Sequence, residues 1–270
     1  MSGLVLALRQ APAGRVDLSS LLPERLAGRA LAEIAAIELP SGRRPITVGA
    51  LFDIAAGDSD DLVIRGGSDR LDGVGREMTR GRIFVEGDVG DHAGLAMSGG
   101  ELRIAGNAGF AAATMMRGGL LAVGGNAGDF LGGTLPGDMR GMRGGLVVVR
   151  GRAGDRVGDR MRRGIILVEG DIGAHAGSRL LAGTVIGLAG SGAYPGLGMK
   201  RGTLLLAEPP QRLLPSFADC GRHELGFLGL LFAHLRPHSP RLVALASRLG
   251  APRRWAGDQA AGCKGEILVA

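Results

Sequence analysis

Cysteine, lysine and aromatic residues are all scarce in this chain, and each scarcity removes a class of protein. The two cysteines, Cys220 and Cys263, form no CxxC pair and no Cys/His cluster. A disulfide framework and a zinc site are therefore unsupported, and both residues read as free thiols. Only seven Phe, one Tyr and one Trp are available to stack on bases, which counts against nucleic-acid binding even at a net charge of +6. Lysine occurs only at 200 and 264, so arginine carries the positive charge. No apolar run reaches the roughly 18 residues needed to cross a bilayer, and the N-terminus lacks the succession of a secretion signal. The expectation is a soluble cytoplasmic protein with neither membrane nor nucleic acid as partner.

Glycine is the opposite case, with 50 residues of 270 against an average near 7%. Collagen's three-residue period is missing, proline numbers only 12, and an apolar fraction of 45% argues against disorder. The glycines recur instead at an interval of nineteen. Gly87, Gly106, Gly125, Gly151 and Gly170 form one column, and Gly90, Gly109, Gly128, Gly154, Gly173 and Gly192 a second. A third runs through Gly94, Gly132, Gly158, Gly177 and Gly196, with Ala113 in one place, and a seven-residue insertion at 133–139 interrupts the register once. Met78, Met97, Met116, Met142, Met161 and Met199 make a fourth column, completed by Leu180. A thioether column suits Cu(I) in principle, but a ladder of one flexible apolar residue reads as core packing, with no metal.

Apolar residues two apart open each unit, as in Ile83 and Val85, Leu102 and Ile104, Leu121 and Val123, Val147 and Val149, Ile166 and Val168. That is strand periodicity. Nineteen residues are too few for a helix pair, so the units predict short strands separated by glycine corners and stacked about 4.8 Å apart as parallel sheets. The expected fold is mainly β, a right-handed parallel β-helix with nineteen-residue coils, because a left-handed hexapeptide helix would repeat in multiples of six. Calcium-binding nonapeptide coils are not matched by the series Asp88, Asn107, Asn126, Arg152, Asp171. Three regions follow: an α/β N-terminal cap over 1–55, the β-helix over 56–207, and a helical C-terminal cap with a terminal strand over 208–270. Within the first, the pattern predicts a strand at 4–8, one helix over about 23–37 started by Pro23, and a strand near Ile46. Apolar segments at 223–235 and 240–249 follow the coils, and terminal elements are expected to cover the open strand edges.

Chemistry is hard to find in the repeats. His92 and His175 share a column but stand four coils apart, nearly 20 Å by strand spacing, so one metal ion cannot bind both. Asp155 and Asp159 are the best carboxylate pair for a stand-alone polysaccharide-active enzyme, although solvated corners explain them better. The stretch 187–196 is glycine-rich but lacks the GK[ST] ending of a phosphate loop. No catalytic residue and no metal ligand is assigned.

The GxxGxxxG pattern of Gly87, Gly90 and Gly94 resembles the β-helical domain of glutamate synthase large subunits and the C-type subunits of formylmethanofuran dehydrogenases. ITVGALFDI at 46–54, LLPSFADCGRHELGFLGLLFAHL at 213–235 and RWAGDQAAGCKGEILVA at 254–270 resemble the C-type subunits specifically. The resemblance implies a non-catalytic companion of catalytic subunits. In the bacterial formyltransferase/hydrolase version, a formyl group passes from formyl-tetrahydromethanopterin to a methanofuran-type coenzyme and is released as formate during formaldehyde oxidation. The implied partners are an amidohydrolase-like subunit holding zinc, a formyltransferase subunit and a further companion. The alternative is the corresponding component of a molybdenum or tungsten formylmethanofuran dehydrogenase. Arg-over-Lys, Ala-rich and Gly-rich usage favours the bacterial version. In that setting the arginine excess would also attract a coenzyme bearing a glutamyl tail.

Overall fold

The computed structural model describes residues 3–57, 59–247, 249–262 and 264–270, so Cys263 lies outside the described residues, while Cys220 is exposed. The N-terminal region comprises β1 (Gly3–Leu8), β2 (Val16–Asp17), α1 (Pro23–Leu26), α2 (Leu31–Ala35), β3 (Glu38–Leu39), β4 (Ile46–Thr47), α3 (Val48–Leu51) and β5 (Phe52–Ala55). Where the sequence predicts one helix over 23–37 there are two short ones. Ala27 leaves helical geometry at ψ 127°, Gly28 takes φ +75°, and the Glu33 carboxylate accepts the Ala30 N–H at 3.2 Å to start α2 afresh.

The repeats begin with β6 (Ser59–Arg65) and β7 (Leu71–Asp72) and continue through β8 (Arg82–Val85), β9 (Glu101–Ile104), β10 (Leu120–Val123), β11 (Arg143–Val149), β12 (Arg163–Val168), β13 (Thr184–Gly187) and β14 (Thr203–Leu206). Strands β8, β9 and β10 pair in parallel at nineteen-residue offsets, as in Ile83↔Leu102 and Leu102↔Leu121. Leu121 then pairs with Val147, the offset widened by the insertion, and the nineteen-residue register resumes with Val147↔Ile166, Ile166↔Val185 and Val185↔Leu204. A second parallel column of single bridges joins Val89, Ala108, Ala127, Ala153, Ile172 and Ser191. Each repeat therefore lies on its predecessor at two corners at least.

The chain ends in β15 (Ala218–Arg222), α4 (Phe227–Leu235), α5 (Pro240–Ala246), β16 (Arg253–Gly257) and β17 (Gly265–Val269). Among the described residues the principal sheet has thirteen strands, in the order β15-β16-β17-β14-β13-β12-β11-β10-β9-β8-β6-β1-β5. Strand β17 continues the parallel run beside β14, and β16 and β15 then turn antiparallel. Strands β1 and β5 close the other edge, with β1 parallel to β6 and antiparallel to β5. The edges are thus occupied by strands, and the two C-terminal helices lie elsewhere.

The place of those helices explains a change in pattern along the strands. In β8 and β9 buried and exposed residues alternate, whereas in β12, β13 and β14 the last three residues are all buried. The inward residues form the main core with the methionine column. The outward residues Val148, Leu167, Ile186, Leu205 and Leu268 join Leu228, Leu235, Leu242 and Leu245 of the two helices in a second core. Helices α4 and α5 therefore cover the outer face of the sheet, because that face carries a large apolar residue on every strand only from β11 onward. No helix among the described residues is long and apolar enough to cross a membrane.

Candidate functional site

The repeat residues singled out from the sequence sit where neighbouring turns of chain touch. Met78, Met97, Met116, Met142, Met161 and Met199 are all completely buried in the main core. A β-carbon placed on Gly87, Gly90, Gly106, Gly109, Gly125, Gly128, Gly151, Gly154, Gly170 or Gly173 would come within 2.0–2.9 Å of an adjacent repeat. Gly94 differs, since it adopts φ +64°, and Ala113 meets the same left-handed geometry at φ +54° with a side chain that ordinarily resists it.

Acidic and amide side chains of the corners bond to the next repeat. Asp88 accepts the backbone N–H of Asn107 at 2.7 Å, Asn107 that of Asn126 at 2.8 Å, and Asn126 that of Arg152 at 2.9 Å. A parallel ladder has Asp72 accepting from Asp91, Asp91 from Phe110, Asp129 from Asp155, and Asp155 from Ala174. The series that sequence reasoning set against calcium thus includes side chains that hold successive repeats together. Asx residues recurring beside glycines at the repeat interval were the available signal.

Asp155 and Asp159 take different partners. Asp159 is fully buried and accepts from the Ser178 hydroxyl at 2.7 Å and the Arg179 Nε at 2.9 Å, while Asp155 serves the Ala174 amide at 2.7 Å. His92 and His175 stand in one stacked column with Ala111, Phe130, Arg156 and Tyr194, all at φ between 58° and 64°. The His92 ring meets Phe110 edge-on at 6.1 Å, Phe110 meets Phe130 at 5.5 Å, Arg156 lies over Phe130, and His175 stacks on Tyr194 at 6.0 Å. Among the described residues no three His, Cys, Asp or Glu side chains are placed to hold a metal ion.

Two open clefts flank these surfaces. One, of about 550 Å³, lies between the insertion loop at Thr134–Met139 and Phe130, Arg156, Arg160 and Arg179. The other, of about 230 Å³, runs along the outer sheet face where Phe84, Arg103, Leu120 and Arg150 meet Pro237 and His238 at the turn between α4 and α5. Burial holds the His238 imidazole below its ordinary pKa, and the positive charges of His234, Arg103 and Arg150 add to that depression. The neutral ring is therefore favoured in the fold, and its contribution to stability is complete above the ordinary histidine pKa of about 6.5 and is lost as pH falls below it. Thermal midpoints should accordingly drop from pH 7.5 to 5.5, and His238→Gln should reduce that drop; an unchanged drop would remove His238 as a source.

At the far end of the sheet, Asp219 pairs with Arg253 across β15 and β16, and its carboxyl is lowered to about 2 by the Arg253 hydrogen bond and then by the Gly221 amide. This pair ties the edge strands together.

Comparison with known proteins places these features. No family model matches the chain. It is 47% identical over 76 residues to the C-type subunit of the formyltransferase/hydrolase complex of Methylorubrum extorquens, and 33% identical over 92 residues to that of a tungsten-containing formylmethanofuran dehydrogenase of Methanococcus maripaludis. Those alignments cover 28% and 33% of this chain and span only 29% and 34% of the relatives' own lengths. A likeness over nearly the whole chain comes from the crystal structure of the Methylorubrum extorquens formyltransferase/hydrolase complex with methylofuran. One of its chains matches with a TM-score of 0.91 at 41% identity, over 98% of both chains.

Proposed function

Because the chain belongs to the family of C-type subunits of formyltransferase/hydrolase complexes and formylmethanofuran dehydrogenases, we propose that it is a non-catalytic structural subunit of a formyltransferase/hydrolase complex. The complex passes a formyl group from formyl-tetrahydromethanopterin to a methanofuran-type coenzyme and releases formate. The observation that carries this reading is the likeness of 41% identity over 98% of both chains to a component of such a complex. The higher local identity to the bacterial relative, 47% against 33% for the tungsten enzyme, favours the formyltransferase/hydrolase version.

In this reading the repeats form a right-handed parallel β-helix over 56–207, between an N-terminal α/β region at 1–55 and a C-terminal region at 208–270. The stack acts as a rigid spacer in the cytoplasm for an amidohydrolase-like subunit with zinc, a formyltransferase subunit and a further companion. Two features support the structural role. The carboxylates of Asp72, Asp88, Asp91, Asp129 and Asp155 each accept a backbone N–H of the next repeat. Large apolar side chains also stand in the open, with Leu230 of α4 at 78% exposure and Met139 of the insertion at 60%, as suits surfaces covered on assembly.

Gentle affinity purification from the native cell, followed by native mass spectrometry and metal analysis, tests the proposal. The expected result is a complex containing an amidohydrolase-like and a formyltransferase subunit, with zinc and without molybdenum or tungsten. A chain recovered alone would overturn it, and a molybdenum or tungsten partner would transfer it to the dehydrogenase.

A further inference from the structure

Several arginines along the repeats are matched with acids: Arg150 pairs with Glu169, Arg179 with Asp159 and Arg103 with Glu101. One corner instead gathers arginines on successive repeats. The position after each buried methionine or Leu180 reads Thr79, Ser98, Arg117, Arg143, Arg162, Leu181 and Lys200, with no acidic residue in the column. The backbone stacks these positions on successive repeats, since the amides of Arg117, Arg143 and Arg162 donate to the carbonyls of Met97, Met116 and Met142. Three arginines thus rise one above another at about the 4.8 Å strand spacing.

Arg140, at the end of the insertion, adds a fourth positive charge. Partial burial pushes the Arg143 guanidinium below its ordinary pKa, and Arg117, Arg140 and Arg162 push it further. The Arg143 Nε is buried without a hydrogen-bond partner. None of the four has an ion-pair partner among the described residues. Stacked like charges destabilise neighbouring strands, and an orphaned buried donor costs more than an exposed one. The isolated chain therefore bears a local cost that an anion would remove.

We propose that this corner is a docking line for an acidic segment of a partner polypeptide, whose carboxylates pair with Arg117, Arg143 and Arg162. Guanidinium matches carboxylate in a planar, two-bond geometry. The three repeats extend roughly 10 Å between the outer arginines by strand spacing, which calls for several linked carboxylates in place of one small oxyanion. The inference rests on the reading of the chain as a subunit of a larger complex.

The test compares the assembled complex carrying the wild-type chain with one carrying R117Q/R143Q/R162Q. Association with the partner subunits should weaken at least tenfold and lose much of its salt dependence, while the thermal midpoint of the variant chain alone stays level or rises. Arg143→Lys retains the charge and supplies an amine for zero-length carbodiimide coupling. Peptide mass spectrometry should then join position 143 to an Asp or Glu of a partner polypeptide. Assembly of the triple variant with unchanged affinity and salt response would overturn the inference, as would coupling only to carboxylates of this chain. A wild-type chain that recovers no partner would instead sink the reading of the chain as part of a complex, and this inference with it.

Discussion

Gly170→Ala is expected to destabilise the chain by about 3 kcal/mol, and Gly170→Val to leave it largely insoluble, because the space a side chain needs there is filled by main chain. A β-carbon at 170 would lie 2.6 Å from the Gly151 carbonyl oxygen, 2.7 Å from its carbon and 3.0 Å from the Arg152 nitrogen. The Gly170 N–H already donates to that same oxygen at 2.9 Å, so the two repeats are held at contact distance. Overpacking ordinarily costs about 1–3 kcal/mol when side chains can rearrange. Here none of the three nearest atoms belongs to a side chain, so the upper end applies. Thermal unfolding should show a midpoint lower by roughly 6–12 °C, at about 2–4 °C per kcal/mol for a chain of this size. Gly14→Ala is the control, with nothing within 4 Å of the added carbon, and should change stability by less than about 0.5 kcal/mol. Equal effects at the two sites would contradict direct backbone stacking.

Ser239→Ala is expected to release the C-terminal helices from the sheet. The Ser239 hydroxyl is fully buried, accepts the Leu242 amide at 3.1 Å at the start of α5, and donates to the Glu169 carboxylate at 2.6 Å. Glu169 also pairs with Arg150, and its backbone carbonyl receives the Arg241 guanidinium at 3.1 Å. An N-cap is worth about 0.5–2 kcal/mol and a hydrogen bond to a charged group about 1.5–3 kcal/mol, so the loss is roughly 2–5 kcal/mol, concentrated on α4 and α5. Hydrogen exchange read by mass spectrometry should quicken in 227–246 while β8, β9 and β10 keep their protection. Exposure of Leu167, Ile186 and Leu205 should also raise the tendency to aggregate. Glu169→Gln, which keeps an acceptor for Ser239, should do less. Equal quickening across the repeats would mean that the helices and the stack do not open separately.

The nineteen-residue register is legible in the sequence because each strand pairs with its own equivalent. Ile83, Leu102, Leu121, Val147, Ile166, Val185 and Leu204 must therefore share one environment, and like residues recur. The insertion is legible for the same reason, as one break in that column. The seat of α4 and α5 is harder to see. Its signal is the outward column Phe84, Arg103, Ala122, Val148, Leu167, Ile186, Leu205, which turns uniformly apolar where the helices cover it. Read without its partner helices, that stretch is merely a more hydrophobic strand. The break near Gly28 is masked by Ala, Leu and Glu on both sides, whose helix propensity cannot report one left-handed residue. The Glu169 and Ser239 clasp joins residues 70 apart, one in a repeat and one outside all of them, so no periodicity announces it. The arginine corner, by contrast, is countable in the sequence as an excess of charge, but only stacking shows that Arg117, Arg143 and Arg162 stand together without acids.

The central claim is that this chain organises a formyl-transferring complex without performing its chemistry, and activity of the separated chain tests that most directly. The purified chain, with its thermal midpoint showing it folded, would be incubated with the formylated methanofuran-type coenzyme, and formate release measured beside that of the whole complex. The account predicts release by the complex and none above the uncatalysed rate by the chain. Formate release by the chain alone, copurifying with it and abolished by a single substitution such as Asp159→Asn, would contradict it.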